Sequence, residues 1–335
     1  MIKFYKIMFF NSLILGSMIS ISSYSWFSIW MGLEINLLSI IPLLNNPKNI
    51  FPSEAAMKYF ITQTMASMIL LFSIILFMNK MDNLIMNLNF LTIMLNSSLL
   101  TKMGAAPFHF WFPEVMEGLN WFNCFIILTW QKIAPMIIMM YNINLIKFFT
   151  FIILISSLIG SMMGLNQISM RKIFTFSSIN HIGWMISTML YCQSIWLIYF
   201  LTYTMINFNL IIIFMKFNIF YLKQLFNSLN NNKSIKFLFM LNFLSIAGIP
   251  PFLGFMPKWL TVNNLIYNKL FMISLFLIIF TLISLYYYLR IMFSTLILNM
   301  SETPNQTYNK TFFIYFFNFI NLMSLITCTL IFNFY

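Results

Sequence analysis

Apolar stretches of about 20 residues recur from one end of this chain to the other, and few charges interrupt them. Of the 335 residues, 61% are hydrophobic and only 7% are charged, whereas soluble domains carry roughly a quarter charged residues. Such a composition cannot supply a water-soluble surface. The chain is therefore predicted to fold in lipid, as one all-α polytopic membrane domain over residues 1–335.

About eleven apolar segments are long enough to cross a bilayer as helices. We interpret the first as a membrane helix and not as a signal peptide, because no small-residue cleavage site follows it. The ninth is too long for one straight helix and is interrupted at Gly248. The predicted spans cover residues 4–22, 25–45, 55–78, 84–103, 121–141, 147–166, 172–190, 195–219, 236–266, 270–297 and 312–333.

Eighteen Lys and Arg face six Asp and Glu, which gives a net charge of +12. These basic residues are scattered between the spans, so they indicate membrane topology and contacts with anionic lipid headgroups, and not nucleic acid. Eleven of them fall on the side of the N-terminus, and three, Lys80, Lys147 and Lys269, fall on the opposite side. The N-terminus is therefore predicted on the cytoplasm-like side and the C-terminus opposite.

Segments 104–114 and 248–258 match at an offset of 144 residues. The match aligns Gly104 with Gly248 and Pro107 with Pro251, and Pro250 adds a further proline to the later copy. Because the offset crosses five spans, the two copies enter from opposite faces, as in an inverted-topology repeat. We expect a first five-helix repeat at 1–145, a second at 146–297, and a C-terminal loop and last helix at 298–335.

Both matched segments are predicted to break a membrane helix. Proline removes an amide donor and clashes with the preceding turn, and broken backbone in lipid is tolerated only where protein or a watery cavity covers it. Paired broken helices point to an ion or substrate site near the middle of the bilayer. A proline-rich turn at the membrane surface is the alternative for each copy.

Four charged residues are the main candidates for function. Glu34 and Lys132 lie near the centres of apolar spans, where a charge facing lipid is costly. Lys102 precedes the first break and Lys258 follows the second. Burial disfavours the charged form of a lysine and a nearby carboxylate favours it, so a buried lysine can load and release a proton. The alternatives are an acid that only ties helices together, and lysines that reach the interface.

The two histidines, His109 and His181, are candidate proton relays, although a lone histidine is more often an ordinary core residue. We expect Lys58 to reach the membrane surface, and Glu114 and Glu117 to lie in an interfacial segment. The cysteines stand singly in apolar segments, and no nucleotide-binding loop or metal motif occurs in the sequence. No cofactor or metal site is therefore predicted in this chain.

The stretches 30–42, 102–120, 129–135, 164–184 and 248–259 closely resemble a known family. It is the antiporter-like chain 2 subunits of mitochondrial NADH–ubiquinone oxidoreductase, respiratory complex I, in their animal and insect-like form. The resemblance runs nearly end to end. Full-length relatives carry about three more N-terminal helices, and this chain begins without them, as animal versions do.

The resemblance implies an antiporter-like fold of two inverted five-helix repeats with two broken helices. It implies a proton-translocating subunit of the membrane arm in the mitochondrial inner membrane, with the N-terminus in the matrix and the C-terminus in the intermembrane space. The partners implied are other membrane-arm and accessory subunits and phospholipids such as cardiolipin. The FMN, iron–sulfur clusters, NADH and ubiquinone of the complex belong to other chains. The family's functional positions fall on Glu34, Lys102, Lys132, Lys258, His109 and His181.

The resulting hypothesis couples quinone reduction elsewhere in the complex to the pairing of Glu34 with Lys102. Loss of that pairing sends the proton through Lys132 toward Lys258, with release to the intermembrane space and reloading from the matrix. Two alternatives from other classes stay open at this stage. One is a free-standing cation/proton antiporter, and the other is a passive structural spacer of the membrane arm.

Overall fold

The computed structural model describes residues 4–45, 49–79, 85–230, 233–250, 252–297, 312–319 and 321. Within these ranges every regular element is an α-helix, and six helices are long and apolar enough to cross a membrane. An all-helical, multi-pass membrane protein is therefore confirmed. The count of about eleven spans stays a prediction. Pro251, Lys80 and the end of the last predicted span lie outside the described residues.

The chain divides into two compact units, Met1–Ile152 and Ile153–Tyr335, and the division falls within α8. The helices of the first unit are α1 (Phe4–Ser22), α2 (Trp26–Leu44), α3 (Ile50–Asn79), α4 (Ile85–Met103), α5 (Trp111–Gly118), α6 (Trp121–Leu128), α7 (Trp130–Met140) and the start of α8 (Ile146–Met162).

The rest of α8 opens the second unit, and residues 312–319 are also helical. Its further helices are α9 (Met170–Met189), α10 (Gln193–Phe217), α11 (Leu222–Leu229), α12 (Lys233–Ala247), α13 (Phe255–Tyr267) and α14 (Phe271–Ile297).

Small residues let helices of the first unit approach closely. A Cβ at Gly16 would lie 2.8 Å from the backbone nitrogen of Asn36, and a Cβ at Gly32 would lie 2.6 Å from that of Ser20. Close backbone approach through glycine and serine is the usual way in which membrane helices pack, because lipid provides no hydrophobic drive between them. This close packing of α1 on α2 places the backbone of Asn36 directly against Gly16.

The second unit is built around α9, which is buried along almost its whole length. A helix that is covered on all sides occupies the interior of a bundle. This one nevertheless carries polar side chains, among them Ser177, Ser178, Asn180 and His181. Polar groups at the centre of an apolar unit must find partners inside it, so α9 marks the polar interior of this unit.

Candidate functional site

The first helix break follows α4, which ends at Met103. Gly104 has a φ of 73°, a left-handed conformation that glycine adopts without strain. Its amide donates to the carbonyl of Thr101 at 3.1 Å, and the amide of Ala105 donates to that of Leu100 at 3.0 Å. This pair of bonds is the Schellman motif that closes many helix ends. The chain then runs through Pro107, whose peptide bond is cis, to the start of α5.

Side chains from elsewhere in the unit also donate to carbonyls in the last turn of α4. The indole Nε1 of Trp111 donates to the carbonyl of Thr101 at 3.1 Å. The amide Nε2 of Gln63 donates to the carbonyl of Lys102 at 3.4 Å. His109 is buried, and its Nδ1 donates to the carbonyl of Pro107 at 3.2 Å. This histidine thus bonds to the backbone of the break itself.

The second break repeats the same backbone pattern after α12, which ends at Ala247. Gly248 has a φ of 81°. Its amide donates to the carbonyl of Ser245 at 3.1 Å, and the amide of Ile249 donates to that of Leu244 at 3.4 Å. Pro250 follows on the exposed surface of the unit. Pro251, the other proline proposed for this break, lies outside the described residues.

Lys258 caps this second break. It lies near the start of α13 and is only 9% exposed. Its Nζ donates to the carbonyl of Ala247 at 2.7 Å and to that of Ile246 at 3.4 Å. These are the last two carbonyls of α12, where the negative end of the helix dipole favours a cation. The structure thus places the Lys258 ammonium against a helix end inside the unit.

The other candidate charges lie together in the first unit. Lys102 is 7% exposed and Lys132 is 1% exposed. Glu34 belongs to α2, whose Leu33 and Asn36 line the same cavity as Lys102, but it forms no ion pair within 4 Å among the described residues. The Oε1 atom of Glu34 is buried and has no hydrogen-bond partner in the described part of the chain. The carboxylate is therefore poised near Lys102 without being bonded to it.

Lys132 follows an interruption that the sequence did not predict. The span at 121–141 is divided at Thr129, between α6 and α7. The Thr129 hydroxyl donates to the carbonyl of Phe125 at 2.7 Å, a bond that often bends helices. Pro135 further weakens the following turn, because it provides no amide for the carbonyl of Gln131. Beside this weak point the Lys132 ammonium lies 5.5 Å from the ring centre of Phe112, in a cation–π arrangement.

A small cavity lies beside Lys102. Its polar lining includes Asn36, Tyr59, Gln63 and Gln131. At about 10 Å³ it has room for roughly one water molecule. Gln131 donates through Nε2 to Oδ1 of Asn36 at 2.8 Å, and the Tyr59 hydroxyl donates to Oε1 of Gln131 at 3.4 Å. This amide cluster was not predicted from the sequence, because an uncharged amide in an apolar span is a weak signal.

In the second unit, His181 bonds to Tyr199. The distance from Nδ1 to the Tyr199 hydroxyl is 2.9 Å, and both side chains are buried. They line a second cavity of about 10 Å³, together with Tyr203 of α10 and Pro257 next to Lys258. The tyrosine partner was not predicted from the sequence, although aromatic residues spaced four apart on α10 share one helix face. This unit therefore brings His181 and the second break to a common cavity.

An ion pair lies at the surface of the first unit. Nζ of Lys58 is 2.5 Å from a carboxylate oxygen of Glu114, and the two side chains are 54% and 57% exposed. Glu114 is the position that matches Lys258 at the offset of 144 residues. Within the described ranges, no group of three His, Cys, Asp or Glu residues could hold a metal ion.

Comparison with known proteins places this arrangement in a family. A family model described as NADH:quinone oxidoreductase/Mrp antiporter, TM, matches residues 23–284. The NADH-ubiquinone oxidoreductase chain 2 of Anopheles gambiae is 50% identical over 329 residues, which cover 97% of this chain and 93% of the relative. That of Locusta migratoria is 48% identical over 297 residues, covering 89% of this chain and 87% of the relative.

Solved structures share the fold at low sequence identity. A chain of respiratory complex I from Thermus thermophilus with bound aureothin has a TM-score of 0.88 at 20% identity, covering 97% of this chain and 78% of that chain. A chain of the Mrp complex from Dietzia sp. has a TM-score of 0.75 at 15% identity, covering 90% of this chain and 61% of that one. Because the family model matches most of this chain and the insect relatives match nearly all of it, this chain belongs to the NADH:quinone oxidoreductase/Mrp antiporter family.

Proposed function

We propose that this chain carries protons across the membrane through its buried lysines, as an antiporter-like membrane-arm subunit of respiratory complex I. The assignment to complex I rests on the insect chain 2 relatives, which match nearly the whole length of this chain. Its partners are the other subunits of that multisubunit complex. The role of individual residues rests on the geometry of the two units.

The observation that carries the proposal is the burial of Lys102 and Lys132 in the unit that also holds Glu34. Charges inside a membrane protein are costly, and those that are kept usually mark ion or proton pathways. A lysine in such a place can exist in either protonation state, and the state depends on the nearest opposite charge. Glu34 supplies that charge for Lys102.

The proposed cycle begins when quinone reduction, in another part of the complex, displaces Glu34. The Lys102 ammonium then loses the stabilising carboxylate, and its proton moves to water in the neighbouring cavity and on to Lys132. In the second unit Lys258 and His181 serve as the proton-carrying groups. Each proton moved against the membrane potential requires about 2.3 kcal/mol per 100 mV, so the coupling step must supply at least that amount.

Several finer features belong to the same proposal. The matched breaks support two inverted five-helix repeats, at 1–145 and 146–297, and about eleven spans in all. The basic residues favour an N-terminus in the mitochondrial matrix and a C-terminus in the intermembrane space. They also favour contacts with anionic phospholipids such as cardiolipin. The redox groups of the complex are assigned to other subunits.

Of the alternatives, a free-standing antiporter is not favoured, because the curated relatives are chain 2 subunits of NADH-ubiquinone oxidoreductase. A passive spacer is disfavoured by Lys132, since a purely structural position has no need for a lysine that is 1% exposed.

The test is the number of protons translocated per electron by the purified complex in liposomes. Lys132→Met and Glu34→Gln should each lower this number. Lys58→Met is the matched control, because it removes an exposed lysine of the same unit, and should leave the number unchanged. An unchanged number in both Lys132→Met and Glu34→Gln would mean that this chain does not pump through these residues.

A further inference from the structure

Gln131 stands immediately before Lys132 and is hydrogen-bonded to the helix that carries Glu34. Its Nε2 donates to Oδ1 of Asn36 at 2.8 Å. Asn36 lies on α2, two residues after Glu34, and is 3% exposed. The bond therefore joins the backbone segment of the carboxylate to the backbone segment of the central lysine.

The other end of the same amide is also bonded. Oε1 of Gln131 accepts a hydrogen bond from the Tyr59 hydroxyl of α3 at 3.4 Å. All three side chains line the cavity beside Lys102. A single amide thus connects α2, α3 and α7 beside Lys102.

This hydrogen bond couples the start of α7 to α2, whereas the interruption at Thr129 uncouples it from α6. Breaking an amide–amide bond in a buried site leaves a donor and an acceptor unpaired, so the two helices that share it tend to move together. The interruption at Thr129 separates α7 from α6. A displacement of α2 can therefore move the start of α7 while α6 keeps its position.

We propose that Gln131 is the positioning residue that transmits the state of Glu34 to Lys132, through its bond to Asn36. This inference rests on the proposed function, since it concerns the coupling of two residues that are assigned to proton transfer. When Glu34 and α2 shift, the Gln131–Asn36 bond carries Lys132 along. Without that bond, α2 moves and Lys132 stays where it is.

A double-mutant cycle tests this coupling in the whole complex, reconstituted in liposomes. Gln131→Leu removes the hydrogen bond to Asn36, and Glu34→Gln removes the negative charge of Glu34. The double variant removes both. Mutations along a coupling path alter it by about twofold or more, so each single variant should lower the rate of proton translocation at least twofold. The double variant should be no worse than the more affected single variant.

Gln63→Leu is the matched control, because Gln63 is a second buried glutamine on the same cavity that bonds to the carbonyl of Lys102 and not to Asn36. Its effect should multiply with that of Glu34→Gln. Asn36→Leu removes the same bond from the other end and should reproduce Gln131→Leu. If the leucine variant does not assemble, Gln131→Asn takes its place, since it keeps an amide that is one carbon too short to reach.

The outcomes separate this inference from the function on which it rests. If Glu34→Gln lowers translocation and Gln131→Leu does not, the role of Gln131 is wrong and the function stands. The role is equally wrong if the effects of Gln131→Leu and Glu34→Gln multiply. If Glu34→Gln has no effect, the proposed function is wrong at its first step.

Discussion

The two helix breaks close with the same backbone hydrogen bonds, but different side chains surround them. In both, a glycine with positive φ follows the helix, and the same two amides close its last turn. A third hydrogen bond also recurs. The amide of Phe108 donates to the carbonyl of Ala105, and the amide of Phe252 donates to that of Ile249, each at 2.9 Å. The side chains that donate to the carbonyls of the last turn differ. Neutral donors, Gln63 and Trp111, serve the first break, and the Lys258 ammonium serves the second.

This difference shows that the glycine turn of a repeat is required by the backbone, whereas the side chains that donate to its carbonyls can diverge. Gly-x-x-Pro dictates the turn, because few residues other than glycine adopt a positive φ without strain. The carbonyls then need donors, but any buried donor will serve. The first break uses neutral donors and leaves Lys102 to line a cavity. The second uses its lysine as the cap, so Lys258 has a structural role in addition to the chemical role proposed for it.

Removal of Lys258 should therefore have the largest effect on stability. Lys258→Met leaves the carbonyls of Ile246 and Ala247 without their donor, at about 1–3 kcal/mol for each unsatisfied group. Lys102→Met should cost less, because Gln63 and Trp111, and not Lys102, donate to the carbonyls of the first break. The thermal stability of the purified complex measures both.

Lys258→Gln is the control for that comparison, because its amide can still donate a hydrogen bond but cannot carry a proton. It should recover part of the stability that Lys258→Met loses and none of the proton translocation. Equal stability of Lys258→Met and the native complex would contradict the capping role.

Substitution of the two glycines should have an intermediate effect. A side chain in the left-handed conformation costs about 1–2 kcal/mol, so Gly104→Ala and Gly248→Ala should both lower the amount of assembled complex. Gly248→Ala should be worse, because its Cβ would lie 2.7 Å from Nζ of Lys258 and would push the ammonium off its carbonyls. At Gly104 the nearest atoms are ring carbons of Phe112 at 3.1–3.2 Å. A native gel compares the variants, and indifference to both substitutions would contradict the left-handed turns.

The exposed ion pair should have the smallest effect. Lys58 and Glu114 are each more than half exposed, and surface ion pairs contribute little to stability. Glu114→Gln and Lys58→Met should leave both assembly and proton translocation near native values. Since Glu114 matches Lys258 in the repeat, a large loss in Glu114→Gln would mean that the two matched positions are functionally equivalent after all.

The membrane class and the positions of the unusual residues follow from the sequence for one physical reason. Lipid tolerates neither an unsatisfied backbone nor a lone charge, so Gly104, Gly248 and Lys132 stand out in apolar segments without any knowledge of their neighbours. The number of spans and their inverted arrangement depend on relations between distant segments, and they stay predictions.

The partners of these residues could not be derived from the sequence. Gln131 meets Asn36, 95 residues away in the chain, and His181 meets Tyr199 on another helix. Such contacts depend on which helices pack against one another, and the hydropathy of the sequence does not predict that packing. The interruption at Thr129 was missed for a related reason. A threonine or proline in an apolar span is compatible with a continuous helix. Only the packed structure shows where the helix is interrupted.

The most direct test of the account is the proton-to-electron ratio of the reconstituted complex carrying Lys102→Met or Lys258→Gln, each compared with Lys58→Met. The first replaces a lysine that caps no helix end in the described part of the chain, and the second keeps a hydrogen-bond donor at the cap. Neither variant is therefore expected to act through loss of the fold. The account predicts a lower ratio in both variants and a native ratio in Lys58→Met. A native ratio in both lysine variants, in fully assembled complex, would contradict proton transfer through this chain.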